Sequence, residues 1–214
     1  MKALIFDFDG TIVDTESLWY EVYNDFFRDH FGFDVPIDLF ARSTGSGDFD
    51  VFYELEKALD IQLDYHACSK SLHALFEDRA DSLIVRDGIV DVIKAAEHNG
   101  IQLAIASSST RSYIVHYLQK FNLDSYFTVL NTKNDVQHVK PDPELYVKTV
   151  ADLQVAPEDV VAIEDSLNGA KAAVNAGLPC FVVPNKVTIH STFPKEVTIL
   201  SGFFEIIEKI KHME

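Results

Sequence analysis

Short apolar runs recur along the chain, each stopped by polar or turn-forming residues. Residues 2–8, ended by Asp9-Gly10, form the first, and 103–106, 127–130, 160–163, 180–183 and, more weakly, 197–200 follow. Unbroken apolar runs of this length suit strands buried on both faces of a parallel sheet. Between them the period changes. Ile89, Val90, Ile93 and Ala96 lead to a stop at Gly100, and helical spacing returns at 113–121, 143–153, 169–176 (closed by Gly177) and 203–210. Strands alternating with helices predict an α/β fold, a parallel sheet with helices on both faces.

Residues 15–86 break that alternation. Their spacing predicts helices over 16–31, 37–42, 49–59 and 65–83, with breakers at Gly32, Pro36 and Thr44-Gly45-Ser46-Gly47 and no convincing strand. This reads as a helical insertion after the first strand, leaving the sheet near Asp14 and returning near Arg86-Asp87-Gly88. Two crossings in turn-prone sequence predict a hinge.

Composition narrows the function. Of 214 residues 47% are hydrophobic, enough for a sizeable core, and 18 Lys and Arg face 34 Asp and Glu, a net charge of −16. So acidic a surface argues against nucleic acid or an anionic membrane as partner. No apolar run approaches the roughly 20 residues that span a bilayer. Cys68 and Cys180 lack metal spacing and read as packing residues in a reducing, cytoplasmic setting.

Ligands of open parallel sheets bind beyond the carboxyl ends of the strands. After the first run come Asp7, Asp9, Gly10 and Thr11; after the second, Ser107, Ser108 and Ser109. Lys140-Pro141 follows the third after a loop, and Glu164, Asp165 and Ser166 follow the fourth. Carboxylates, hydroxyls and a lysine collected at one edge suit a Mg²⁺-dependent phosphate site, because Mg²⁺ takes a few hard oxygen ligands plus substrate phosphate. Asp7 and Asp9, two apart on extended chain, point the same way. Asp165 completes the metal set, the Ser107 hydroxyl and the amides of Ser108 and Gly10 are donors to phosphate, and Pro141 opens a helix just after Lys140.

With these four segments the chain resembles the haloacid dehalogenase-like hydrolase superfamily, in the branch of beta-phosphoglucomutase and phosphoglycolate phosphatase. The resemblance implies a Rossmann-like core of residues 1–14 and 87–214 with an α-helical cap at 15–86. It further implies that Asp7 is the nucleophile and Asp9 the acid and base. Mg²⁺ would be held by Asp7, the Asp9 carbonyl and Asp165, with help from Glu164 through a water, while Ser107 and Lys140 bind phosphoryl oxygens.

Plainer readings stand beside these. Ser109 and Ser166 suit helix caps, Trp19, Tyr23 and Phe27 suit the cap's own core, and Glu16 suits either the cleft or a helix N-terminus. Residues 15–86 hold 15 acidic and 6 basic side chains, a poor setting for a second phosphate. Beta-phosphoglucomutases need a His and an Arg where Trp19 and Asp48 stand here. The loop Gly45-Ser46-Gly47-Asp48 is the candidate segment dipping into the cleft. The reading is a phosphatase of a small phosphorylated metabolite, a sugar or polyol phosphate, acting as a monomer or weak dimer. The alternatives are a hexose-phosphate mutase, a metal-free dehalogenase, and a non-catalytic phosphate-binding module.

Overall fold

The structure is a computed structural model that describes residues 1–42 and 48–211, with only the backbone described at 48–50. The strands β1 (Ala3–Phe6), β2 (Gln102–Ala106), β3 (Val129–Asn131), β4 (Val160–Glu164), β5 (Cys180–Val182) and β6 (Thr198–Ile199) form one parallel sheet. Its order is β3-β2-β1-β4-β5-β6, so the chain reverses its winding at β1. Phe6 is level with Ile105 on one side and Ile163 on the other. Asp7, the residue after β1, therefore comes level with Glu164 at the end of β4.

Alternation along the strands sorts the core into two layers. Leu4, Phe6, Leu103, Ile105, Val161 and Ile163 face one way and pack with α5 (Ile89–His98), α6 (Arg111–Lys120) and α9 (Phe204–Lys211). Ala3, Ile5, Ala104, Ala106 and Ala162 face the other way, against α7 (Glu144–Leu153) and α8 (Leu167–Asn175). The small residues on this second face continue into Ala170, Ala172 and Ala173 of α8, all fully buried. They let α8 lie close to the sheet, bringing its first turn against the end of β4.

Between β1 and α5 lie α1 (Thr15–Phe31), α2 (Ile37–Ala41), α3 (Asp48–Leu59) and α4 (Tyr65–Arg79). Asp14 caps α1, accepting from the Ser17 amide at 3.1 Å and its hydroxyl at 2.8 Å. The apolar face of α1 buries Leu18, Val22, Tyr23 and Phe27, and Trp19 stacks on Phe76 of α4 with centroids 4.1 Å apart. The two crossings lie side by side: Val13 bridges Val85, and the Arg86 amide donates to the Ile12 carbonyl at 2.9 Å.

Three elements differ from the sequence reading. β3 starts two residues late, because 124–126 close a tight turn and Phe127 turns its ring edge-on to Phe6. The helix expected over 65–83 ends at Arg79 and tightens into one 3₁₀ turn. Pro141 does not open α7; the Lys140–Pro141 peptide is cis, and the helix begins at Glu144 behind Pro143. No described helix is long and apolar enough to cross a membrane.

Asp64 caps α4 by accepting from the Ala67 amide at 3.0 Å, away from the sheet edge. Asp64→Ala is expected to cost about 1 kcal/mol. That lowers the melting midpoint by about 2–4 °C in a chain of this size, measured by circular dichroism, with turnover unchanged.

Candidate active site

At the carboxyl edge of the sheet Lys140 is buried, and it is the only basic side chain so buried among the described residues. Its ammonium donates to Asp7 Oδ1 at 2.5 Å and to Glu164 Oε1 at 2.7 Å. Glu164 also receives the Tyr146 hydroxyl at 2.5 Å, and its other oxygen takes the Asp165 amide and the Ser166 hydroxyl. Gly169 in the first turn of α8 lies directly against the Glu164 carboxylate and has no room for a Cβ. Glu164 is thus fixed as the anchor of Lys140, and its oxygens are filled by protein donors rather than held open toward a water.

Asp165, fully buried, points beside Asp7. Thr11 Oγ1 donates to its Oδ1 at 3.2 Å and Asn185 Nδ2 to its Oδ2 at 2.8 Å. Gly10 closes the turn after β1 with φ +79°, and a Cβ there would run into the Asp165 carboxylate. The Gly10 amide is not available to phosphate, because it donates to the Val13 carbonyl at 2.7 Å. What this position requires is the absence of a side chain.

Asp9 stands apart from the lysine. Thr15 Oγ1 donates to Oδ1 at 3.1 Å, Ser109 Oγ to Oδ2 at 2.5 Å, and the Tyr113 hydroxyl also stabilises its charge. Ser109 is therefore a partner of Asp9 rather than the cap of α6, a position taken by Thr110. Ser107 Oγ accepts the Ser109 amide at 3.1 Å, which leaves its own O–H free to donate. The Ser108 hydroxyl is buried at the cleft without a hydrogen-bond partner. Ser166 caps α8 through the Gly169 amide at 3.1 Å.

These groups form one end of a cleft of about 810 Å³. Trp19, Tyr23, Phe40 and Phe76 wall the other end, with Glu16 between. Gly45, Ser46 and the side chain of Asp48 lie outside the described residues.

The electrostatics are strained in one direction. Burial pushes Asp7 up to about 7; Lys140 opposes this, while Glu164 and Asp9 add to it. Burial likewise raises Asp9, against the pull of its hydroxyl donors. Asp165 is raised well above the usual range, by burial and then by Asp7 and Glu164. Burial works against the charge on Lys140, yet Asp7 and Glu164 outweigh it and hold the ammonium above its ordinary value. Ligand oxygens of Asp7, Glu164 and Asp165 lie within 4.8 Å of one another. Asp7 and Asp165, buried hard oxygen donors beside the Lys140-bound Glu164, fit a divalent cation, which would offset both their burial and their mutual repulsion.

A profile of haloacid dehalogenase-like hydrolases matches residues 4–183, which span the segments bearing Asp7, Ser107, Lys140 and Asp165. The chain belongs to that family. It is 38% identical over 189 residues to YhcW of Bacillus subtilis, provisionally named a phosphatase, covering 88% of this chain and 86% of that protein. A phosphorylated carbohydrates phosphatase of Thermotoga maritima is 32% identical over 180 residues, 83% of this chain and 82% of its own. A solved Thermotoga maritima structure, provisionally classed as a beta-phosphoglucomutase, superposes with a TM-score of 0.77 at 28% identity over the full length of both chains. The hydrolase thus falls in the branch its motifs resemble.

Sequence spacing left several of this hydrolase's site partners unassigned. Tyr113, Tyr146, Asn185 and Arg86 sit outside the four motifs, and only folding brings them to the carboxylates. Ser109 carried only the signal of a hydroxyl in the segment after β2, where its amide folds back to Ser107 Oγ and its hydroxyl reaches Asp9.

Glu16 gives a pH test. Burial and the neighbouring Asp9, Asp7 and Asp14 carboxylates raise it from 4.5 to about 8. The folded state then holds this proton more tightly than the unfolded chain, so stability falls as pH rises from about 4.5 to about 8. In metal-free buffer Glu16→Gln is expected to match wild type near pH 4.5. By pH 8 it should be more stable by on the order of 1–2 kcal/mol, allowing for screening in the open cleft. Melting curves across that range check this; a constant offset contradicts it.

Proposed function

We propose that this hydrolase is a Mg²⁺-dependent phosphatase of small sugar or polyol phosphate monoesters, working through an aspartyl-phosphate on Asp7. The observation that carries the reading is the Asp7 carboxylate held between Lys140 and the Asp165 side, 2.5 Å from the ammonium, with an acid raised above its usual range two residues away.

In the proposed reaction an Asp7 oxygen attacks phosphorus while the ester P–O bond breaks, dividing one hard displacement into two easier ones. Asp9, protonated in the closed cleft, gives its proton to the departing alkoxide. As a carboxylate it then takes a proton from water, which attacks the acyl phosphate and frees inorganic phosphate and Asp7. Thr15 and Ser109 orient Asp9 for both transfers. Ser107 and Ser108 donate to phosphoryl oxygens, and Lys140 keeps Asp7 aimed and its charge compensated. Asp7, the Asp9 carbonyl and Asp165 would hold Mg²⁺, which when bound would supply positive charge beside the transferring group.

Residues 15–86 act in this reading as a cap whose closure dries the cleft. Its inner wall supports a polyhydroxylated substrate with no second anion. The Trp19 and Phe76 rings suit the C–H face of a sugar, Glu16 suits hydroxyls, and Lys120 is already paired with Asp81 at 3.0 Å. The same charges disfavour a mutase, which must hold a second phosphate. The carbohydrate-phosphate activity named for the Thermotoga relative points the same way.

The enzyme is expected to hydrolyse p-nitrophenyl phosphate with Mg²⁺ and to lose activity in chelator. Asp7→Asn should lower turnover by on the order of 10³-fold or more. In a released-phosphate screen, sugar and polyol monophosphates should exceed bisphosphates and nucleotides. A lasting need for a bisphosphate activator would instead select the mutase.

A further inference from the structure

Arg86 belongs to none of the four motifs, yet its guanidinium reaches from the return crossing of the helical segment to the loops that flank the site. Nη1 donates to the Gly10 carbonyl at 2.6 Å and to the Val183 carbonyl at 2.9 Å; Nη2 donates to the Pro184 carbonyl at 2.9 Å. The group lies over the Phe203 ring, 4.9 Å from its centroid. One side chain thus ties the turn after β1 to the loop after β5.

Those two loops carry the donors to Asp165. Thr11 follows Gly10 and holds Oδ1; Asn185 follows Pro184 and holds Oδ2. Asn185 is itself locked, its side-chain oxygen accepting the amides of Val187 and Thr188 at 2.9 Å each. Gly10 meets the same carboxylate with no space to spare. Arg86 touches neither the cleft nor a reacting atom, but it sets the spacing of the loops that aim Asp165. We infer that Arg86 is a positioning residue for Asp165, tying cation affinity to the crossing that joins the helical segment to the sheet. This rests on the reading of Asp165 as a cation ligand.

A planar fork across three carbonyls is a role lysine cannot fill. Outer contacts of this kind change metal affinity by about 10–100-fold. The test is calorimetric titration of the purified full chain with MgCl₂ alone, beside melting curves in chelator. Arg86→Met is expected to weaken Mg²⁺ binding about tenfold, with Arg86→Lys between it and wild type. Asn185→Ala, which removes a donor to Asp165 directly, should weaken binding to a similar degree. Arg79→Met breaks the 2.7 Å pair with Asp25 within the helical segment; it should lower the melting midpoint and leave Mg²⁺ affinity unchanged. If Arg86→Met does not fold, Arg86→Lys and Asn185→Ala decide. Affinity within twofold of wild type in the folded Arg86 variants, whatever their melting points, overturns the inference. Absence of Mg²⁺ binding by wild type overturns the cation reading itself and the inference with it.

Discussion

A single buried ammonium set among carboxylates is the constraint on which this structure turns. Lys140 is held by Asp7 and Glu164, while Asp165 stands fully buried beside them. Such an arrangement is a poor way to gain stability, since the desolvation of buried charges rivals their attraction. Its value is in placement. Gly169, lacking a side chain, leaves room for the Glu164 carboxylate, Glu164 holds Lys140, and Lys140 holds Asp7, so the aim of Asp7 is inherited from the packing of α8 on the sheet. Among the described residues Lys140 is the only cation paired with these carboxylates, which leaves the cluster short of balance. That shortfall is what a divalent cation would supply and what would let an anionic phosphate approach.

The sheet makes this possible through its order. With β1 flanked by β2 and β4, the segments bearing Asp7, Ser107 and Glu164-Asp165 end side by side. Lys140 arrives from the loop beyond β3 and passes under them. The helical segment completes the site from above, contributing Glu16 and Trp19 to the cleft and Thr15 to Asp9. Two carboxylates two residues apart thereby acquire different chemistry. Asp7 is gripped by an ammonium, whereas Asp9 is held by neutral hydroxyls, and burial raises both carboxyls above their ordinary range.

Much of this was legible in the chain because each strand is an unbroken apolar run and each chemical residue stands at its end. The six runs and five flanking helices depend on local periodicity, which survives into the fold. Boundaries slipped where tertiary packing won: Phe127 left its strand to pack against Phe6, and Pro141 lay three residues ahead of its helix. The supporting contacts were harder to see. Asn185 lies 20 residues beyond Asp165, and Arg86 lies 76 beyond Gly10; no spacing rule joins them. The Gly10 amide looked like a phosphate donor until the turn's own hydrogen bond to Val13 was in view. Ser109 looked like a cap because serine before a helix usually is one.

Asp7, aimed by Lys140 and balanced by a cation at Asp165, is proposed as the group that accepts phosphorus. A crystal structure with Mg²⁺ and trifluoroberyllate, a mimic of the phosphoryl group, tests it most directly. The expected result is beryllium bonded to an Asp7 oxygen, Mg²⁺ density shared between Asp7 and Asp165, and Lys140 still in contact with Glu164. Fluoroberyllate or metal bound elsewhere, with the Asp7 carboxylate carrying neither, would contradict it.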